Sequence, residues 1–570
     1  MSKLSFLKFR AKEQETETPV HTSNESSSAE HEPTRPGIPT WRLLFLYLGL
    51  SSGLFLSFLD TSIVTTSLFS MALEFNDLEQ VNWVALAYNL TYLSCAVLLA
   101  RVCDIVGRRN AFVVSYIIFV AFSIGCGFAQ NLNQLIAWRA LQGLGGSGLY
   151  SITMIILPEI SPPKMQKFIA GLIGIVITLS SVLGPVLGGI LTHYTTWRWV
   201  FWINGPIGVV SIVLFYITWP KPQYLPHVER RSWGELDYLG SFLLIAGAVL
   251  VVFSFQNTEN QADQWSKAAF IAPLIIGVVS FAGLLLWSVF IEQHWGDAMA
   301  AAVPMRLLRN RAYTAAAIHT MFIGFPYMVV VYAFPLRLQV VNEKDALISG
   351  VMLLPMLGSS AVGSIVSGKL NGEKDRTFET LVVATGFVVL GCGLLSTLSS
   401  SSDVEPKALG FLVFVGLGFG MVVSTTTMLA TFQSSSRDHA PAQGMIAQLR
   451  VLGGSIGIAA SSAVLGVTMQ GQFDPVQPGQ PSFLETQGNA TEDRRLDVLR
   501  QAYSDAFNKD MRICMIISAI AILLTFGTFR KKRPTIAERR EEQTQAEVPN
   551  RQSAGVAQVQ QPPQSDQELV

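Results

Sequence analysis

Long apolar runs separated by short islands of charge dominate the chain from Trp41 onward. Fourteen runs are each long enough to cross a bilayer core as a helix, which takes roughly 20 apolar residues. The first six spans are predicted near residues 42–66, 82–100, 111–130, 134–157, 167–191 and 198–219. The next two fall near 237–256 and 268–291. The last six fall near 313–335, 346–368, 379–398, 407–430, 442–469 and 511–529. Residues 1–40, rich in Ser, Thr, Glu and Pro, are predicted to be a disordered tail, as are residues 531–570, which end in a Gln/Pro-rich segment. The polar start implies no cleavable leader, so the first run is expected to act as an uncleaved anchor.

Loop charges orient this map. Arg101, Arg108 and Arg109 crowd the turn Ala100–Arg109, which the positive-inside rule places in the cytoplasm. Counting crossings from there puts Lys164/Lys167, Lys221/Arg230/Arg231, Arg306/Arg309/Arg311, Lys369/Lys374/Arg376, Arg437 and the run Arg530–Arg533 on the same side. Outer loops are poorer in bases, with Glu74, Asp77 and Glu79 in the first and Asp263 with Lys267 in the fourth. The long outer loop expected at 471–510 holds several Arg, but long loops obey the rule weakly. It also carries the glycosylation triplet Asn489-Ala490-Thr491 on the side where that modification occurs. Both termini are therefore expected to be cytoplasmic. Gly368-Lys369-Leu370 with Glu373–Arg376 faintly echoes the Ala100–Arg109 turn, as two six-span halves would if spans seven and eight were an insertion.

Composition agrees with a polytopic helical membrane protein. Half of the 570 residues are hydrophobic and 14% are charged, against about 25% in soluble domains. Mean hydropathy is +0.40. Net charge is zero, which gives no reason to expect a nucleic-acid partner. Cys95, Cys103, Cys126, Cys392 and Cys514 lie in or beside apolar runs without metal-ligand spacing, so neither disulfides nor a metal is expected.

Ionisable groups inside spans cost on the order of 2.5–3.5 kcal/mol on insertion scales, so each needs a reason. Asp60 in Ser57–Ser67 is suited to proton loading or substrate contact, or else is a carboxylate held against a fixed partner that sets helix packing. Arg139 in the fourth span is placed to pair with a carboxylate, polarise a proton path or hold an anion, and Gln142 lies one turn on. Arg450 is nearer a span end and has snorkelling as its plain explanation. Asp237 reads as a helix-start residue and His319 as a packing residue. In the fifth span Gly171, Gly184, Pro185, Gly188 and Gly189 predict close packing and a bend. Gly143–Gly148 matches G-x-G-x-x-G and Gly453–Gly457 matches G-x-S-x-G, but both fall inside predicted spans with no preceding strand. Walker A and H-E-x-x-H patterns are absent, so ATP-driven pumping and zinc proteolysis lack support in this chain.

At these residues the chain resembles the major facilitator superfamily. Asp104, Gly107, Arg108 and Arg109 match its loop motif, with Ala100, Val102 and Ile105 departing from it. Leu59–Val64, then Leu135, Arg139, Gln142, Gly143 and Gly145, then Gly171, Gly184, Pro185, Gly188 and Gly189 are similar to motifs of the fourteen-span drug:proton antiporters. Thr195–Gly208, reading TTWRWVFWINGPIG, is a strong signature of the same group. The likeness covers roughly residues 40–530, and the polar tails resemble those of fungal toxin or secondary-metabolite exporters.

The resemblance implies an all-α membrane protein of the major facilitator fold: two six-helix bundles, residues 41–220 and 313–530, with two additional helices in a linker at 221–312. It further implies proton-coupled export of small hydrophobic molecules, with Asp60, Arg139 and Gln142 in coupling or substrate contact. Asp104, Gly107, Arg108 and Arg109 would act as a conformational switch, and Gly184, Pro185, Gly188 and Gly189 would shape the antiporter helix. No cofactor is expected, only a proton gradient. The partners would be substrate, protons and lipid, with the chain a monomer in the cell membrane, or alternatively the vacuolar one. A vacuolar or importing carrier of basic amino acids or iron chelates, or a membrane sensor that binds without transporting, are the alternative functions.

Overall fold

Inside hydrocarbon every backbone N–H and C=O must find a partner within its own segment, so apolar runs of this length become helices. The computed structural model describes residues 39–529, except 78–79, 162–165, 221–231, 257–266, 296–298, 300, 304, 372–374, 402, 435–438 and 474–488. Residues 1–38 of the first expected tail, all of the second, and the loop charges Glu79, Lys164, Lys221, Arg230, Arg231, Asp263, Lys374, Arg437 and Arg530–Arg533 lie outside the described residues. No strand occurs among the described residues.

The fourteen spans begin with α1 (Thr40–Ile63), α2 (Trp83–Val106), α3 (Arg108–Gly127), α4 (Leu132–Ile160), α5 (Gln166–Tyr194) and α6 (Asn204–Thr218). Next come α7 (Tyr238–Gln256) and α8 (Ala268–His294). The second set is α9 (Arg311–Val340), α10 (Ala346–Val351 continued by Leu354–Leu370), α11 (Thr377–Leu395), α12 (Lys407–Gln433), α13 (His439–Phe473) and α14 (Asn489–Thr525). Thirteen of them meet the length and hydropathy needed to cross a membrane within the described residues. The other, α5, has 29 residues. At 1.5 Å per residue it is about 43 Å long, more than a bilayer core requires.

One expectation is corrected. The final span was expected at 511–529 after a loop at 471–510, but α13 runs to Phe473 and α14 begins at Asn489. The stretch 489–500 holds Glu492, Asp493, Arg494, Arg495, Asp497 and Arg500. A hydropathy scan finds only the part of a helix that lies in lipid, and this helix continues past it. Asn489 of the glycosylation triplet therefore opens a helix.

The helices of α1–α6 and α9–α14 pair by one scheme. In the first set α2 and α3 pack on α4, and α1 packs on α5 and α6; in the second α10 and α11 pack on α12, and α9 packs on α13 and α14. α7 and α8 form a pair, and α7 also touches both α2 and α13. Trp83 meets Phe253 there, with ring centroids 6.1 Å apart.

Polar contacts between the two sets gather at one end. Tyr332 donates to the Thr61 carbonyl (2.8 Å), Asn82 to Ser462 Oγ (2.6 Å) and Gln339 to the Thr66 carbonyl (3.5 Å). His193 lies 3.2 Å from the Asp345 carboxylate, which also caps α10. The Asp104–Arg109 turn is at the opposite end of α2.

Close approach of α12 to α10 depends on missing side chains. A Cβ at Gly420 would stand 1.8 Å from the Ser360 carbonyl oxygen, whereas one at Gly410 meets nothing within 4 Å. Gly420→Val is expected to destabilise the protein by roughly 1–3 kcal/mol or more, while Gly410→Ala is neutral. Thermal unfolding of the purified variants side by side checks the contrast.

Candidate functional site

The sequence scatters Asp60, Arg139 and Gln142 over 82 positions, and the fold brings them together. Asp60 lies one turn before α1 tightens into a 3₁₀ turn at Val64–Thr66. Arg139 and Gln142, three residues apart on α4, share a helix face turned toward it. Arg139 Nη1 forms an ion pair with Asp60 Oδ2 and also donates to Gln142 Oε1 at 2.9 Å. Gln142 Nε2 donates to Asp60 Oδ1 at 2.9 Å. The three side chains close a ring of hydrogen bonds, and all three residues are fully buried.

Three more groups complete the enclosure. Arg139 Nε donates to the Val84 carbonyl of α2 (3.0 Å), and its guanidinium lies 4.3 Å from the Tyr88 ring centroid. Asn204 Nδ2, at the start of α6, donates to Asp60 Oδ1 (3.1 Å) and to Ser123 Oγ on α3 (2.9 Å). Among the described residues Arg139 Nη2 and Asn204 Oδ1 have no hydrogen-bond partner, leaving one donor and one acceptor atom buried in the cluster. Removing either member of a buried ion pair costs about 3–5 kcal/mol because the survivor is stranded. Replacing the whole pair by uncharged groups of comparable volume costs much less. Such a cluster is therefore a specifying contact: it fixes the relation of α1, α2, α4 and α6.

Asn204 was not singled out as a site residue in the sequence, although it stands within the Thr195–Gly208 signature. Its amide carries no insertion cost comparable to a charge and so drew no notice. The signature has a structural reason. Trp197 Nε1 and Arg198 Nη1 donate to Glu74 Oε2 (2.6 and 2.9 Å), anchoring the segment that delivers Asn204. Hydrogen bonding by Arg198 holds the Glu74 carboxyl below the usual carboxylate range.

The Gly/Pro residues of α5 lie against α1 and across the seam to α10. A Cβ at Gly184 would be 1.9 Å from Ser62 Oγ, and one at Gly188 would be 2.2 Å from the Ile63 carbonyl oxygen. At Gly189 it would meet the Ala346 carbonyl oxygen of α10 at 2.6 Å. Thr66 donates to the Pro185 carbonyl (3.3 Å) and Ser62 to that of Ser180 (3.2 Å), so α1 hydroxyls serve α5 carbonyls around its proline. Gly171 lies on the same helix.

The basic turn is a separate cluster. Gly107 joins α2 to α3 with φ at +97°, a conformation closed to other residues in practice. Arg108 pairs with Asp104, and its Nε and Nη2 reach Glu159 Oε2 and Oε1 at 3.1 and 2.9 Å. Glu159, near the end of α4, went unnoticed because a carboxylate at a span end is unremarkable until its bidentate partner is seen. Arg109 lies over the Tyr216 ring at 4.0 Å.

The remaining candidates divide. Asp237 accepts from Gly240 N (2.7 Å) at the start of α7 and from Trp287 Nε1 (2.8 Å) and Ala302 N (2.9 Å). His319 is buried with Nε2 2.8 Å from Thr385 Oγ1. Gly143–Gly148 and Gly453–Gly457 are helical. Asp510, one residue before the expected final span, is a buried carboxylate bonded to Ser461. The loop expected there hid it.

Comparison with known proteins follows this geometry. The family model described as Major Facilitator Superfamily matches residues 50–458. The MFS-type transporter FPY5 of Fusarium mangiferae is 30% identical over 524 residues, covering 88% of this chain and 86% of that one. The MFS-type efflux pump LUC4 of a Fusarium species is 29% identical over 503 residues, covering 86% of this chain and 85% of that one. Among solved structures, a bacterial homologue of the human lysosomal transporter Spinster, inward-facing and unoccupied, aligns with a TM-score of 0.57 at 16% identity. That alignment covers 85% of this chain and 96% of the other, a likeness of fold. Matched in sequence over most of its length and in architecture, the chain belongs to the major facilitator superfamily and is a multi-pass membrane transporter, not an enzyme.

Proposed function

We propose that the transporter exports small hydrophobic molecules — toxins, secondary metabolites or drugs — in exchange for protons, by alternating access. The observation that carries this reading is the buried ion pair of Asp60 and Arg139, placed beside the seam where the two sets of helices meet. Relatives named as efflux pumps support the direction of transport. The proton gradient would be the energy source, with no cofactor, and the chain would work as a monomer in the cell membrane with both termini in the cytoplasm.

In that orientation the polar contacts near Thr61, Thr66 and His193 close the outer face. Proton binding at Asp60 would remove the negative member of the pair. Gln142 and Asn204 would then face a neutral acid, and Arg139 would keep only the Gln142 and Val84 oxygens. The Thr61 carbonyl, adjacent to Asp60, is held by Tyr332 of α9, so movement of α1 is felt directly in the other half. Glycines 184 and 188 leave α5 no intervening side chain on this segment of α1. Asp104, Arg108 and Glu159 would latch the cytoplasmic end of α2–α3 to α4 in the state described.

Two experiments follow. Purified Asp60→Asn protein in proteoliposomes is expected to exchange substrate across the membrane without acceleration by an imposed proton gradient; gradient-driven export at the wild-type rate would end the coupling role. For the latch, flux is compared at equal surface expression. Arg108→Glu is expected to lose most transport. Adding Glu159→Arg should restore more of it than adding Asp104→Arg, because Glu159 makes two hydrogen bonds to Arg108. Equal failure of both double variants would remove the pairwise latch.

A further inference from the structure

Arg139 shows how this chain accommodates a structural cation: a carboxylate, a side-chain amide, a backbone carbonyl and an aromatic face all serve it. Arg450 on α13 is treated differently. It forms no ion pair among the described residues, and its Nε is buried without a hydrogen-bond partner. Snorkelling does not explain it. Arg450 lies 11 residues from His439, the first residue of α13, and 8 from Ala442, where the apolar span begins. At 1.5 Å per residue these are about 16 and 12 Å of helix, more than an arginine side chain extends.

Its backbone is fixed. A Cβ at Gly324 would be 2.2 Å from the Arg450 carbonyl oxygen, and one at Gly453 would be 1.8 Å from that of Met321. α9 and α13 are therefore in contact at this level, which fixes the point from which the Arg450 side chain starts. α13 touches α4 of the first half as well as α9 of the second, and Tyr150 of α4 and Tyr327 of α9 are the titratable groups near enough to act on the Arg450 charge. Tyr150 belongs to an aromatic group with Phe58 and Tyr92, at centroid distances of 5.8 and 5.9 Å. Tyr327 stacks on Phe419 of α12 with rings 8° from parallel. Phe58, Tyr327, Phe419 and Arg450 are half-buried although they lie mid-helix, each ring packing against a buried cluster while keeping part of its surface free.

We propose that Arg450 reads charge in a substrate site between the halves that selects planar aromatic acids, as carboxylates or phenolates, over neutral or cationic aromatics. The proposal rests on the export reading and names its substrate class. Aromatic walls contributed by both halves supply stacking area for flat ring systems. A guanidinium without a carboxylate, held in low-dielectric surroundings, supplies two parallel N–H donors that match an acid group and favour its anion. Closure around such a ligand would bring Tyr150 and Tyr327 onto it from opposite sides.

The test is equilibrium binding to the purified full-length protein, without any proton gradient. The probes are anthracene-9-carboxylate and 9-anthracenemethanol, which share one fluorescent ring system. The wild-type protein is expected to prefer the carboxylate by about tenfold, one decade of affinity. Arg450→Gln should erase that preference by weakening the carboxylate alone, and Arg450→Lys should keep part of it. Equal affinity for the two probes in the wild type, no measurable binding of the carboxylate, or an acid preference that survives Arg450→Gln would overturn the proposal. The wild-type comparison stands even if a variant fails to fold. Because no gradient is present, loss of acid preference leaves the Asp60 coupling untouched, and loss of coupling leaves acid preference measurable.

Discussion

The ion pair between Asp60 and Arg139 is the contact on which the arrangement of the first half depends. Two charges without access to water are costly, and their mutual attraction offsets that cost only when the remaining donors and acceptors are also met. Gln142, Asn204 and the Val84 carbonyl meet most of them. Four helices must therefore come together at one level before either charge is tolerable. The same requirement makes the cluster sensitive. Loss of any one member leaves a buried charge or dipole unmet on several helices at once, a dependence that a purely apolar core does not have.

The last turns of α1 carry that sensitivity outward. Asp60 faces α4 and α6, the Thr61 carbonyl is held by α9, and Ser62 and Thr66 serve carbonyls of α5. Four residues within a stretch of seven thus touch the charge cluster, the proline-bearing helix and the opposite half. The 3₁₀ turn at Val64–Thr66 belongs to this segment, where ordinary helical pairing yields to contacts with neighbours.

Much of this was legible in the sequence, for a physical reason. A charge in an apolar run announces its own cost, so Asp60 and Arg139 stood out, and the period of the helix placed Gln142 beside Arg139. Glycines next to a proline announced the tight face of α5. The partners that complete each cluster were less legible, because their roles depend on distant segments. Asn204 carries no charge, Glu159 looks like an ordinary helix-end acid, and Tyr332 reads as one more aromatic in an apolar run. The start of α14 was misplaced because hydropathy marks where lipid ends, and a helix need not stop there. Arg450 is visible in the sequence as a charge, but what separates it from Arg139, the lack of an ion pair among the described residues and an unbonded Nε, is legible only in the fold.

The α7–α8 pair gives the molecule a sidedness within the plane of the bilayer. Two lengthwise seams separate the halves, one between α2 and α13 and the other between α5 and α10. α7 lies along the first, touching both of its walls, with Val252 buried and Phe253 against Trp83. No described helix covers the second in this way. For anything in the surrounding lipid the two flanks are therefore not equivalent: one is covered by an additional helix, and the other is closed by the direct approach of α5 to α10, where a Cβ at Gly189 would meet the Ala346 carbonyl oxygen at 2.6 Å.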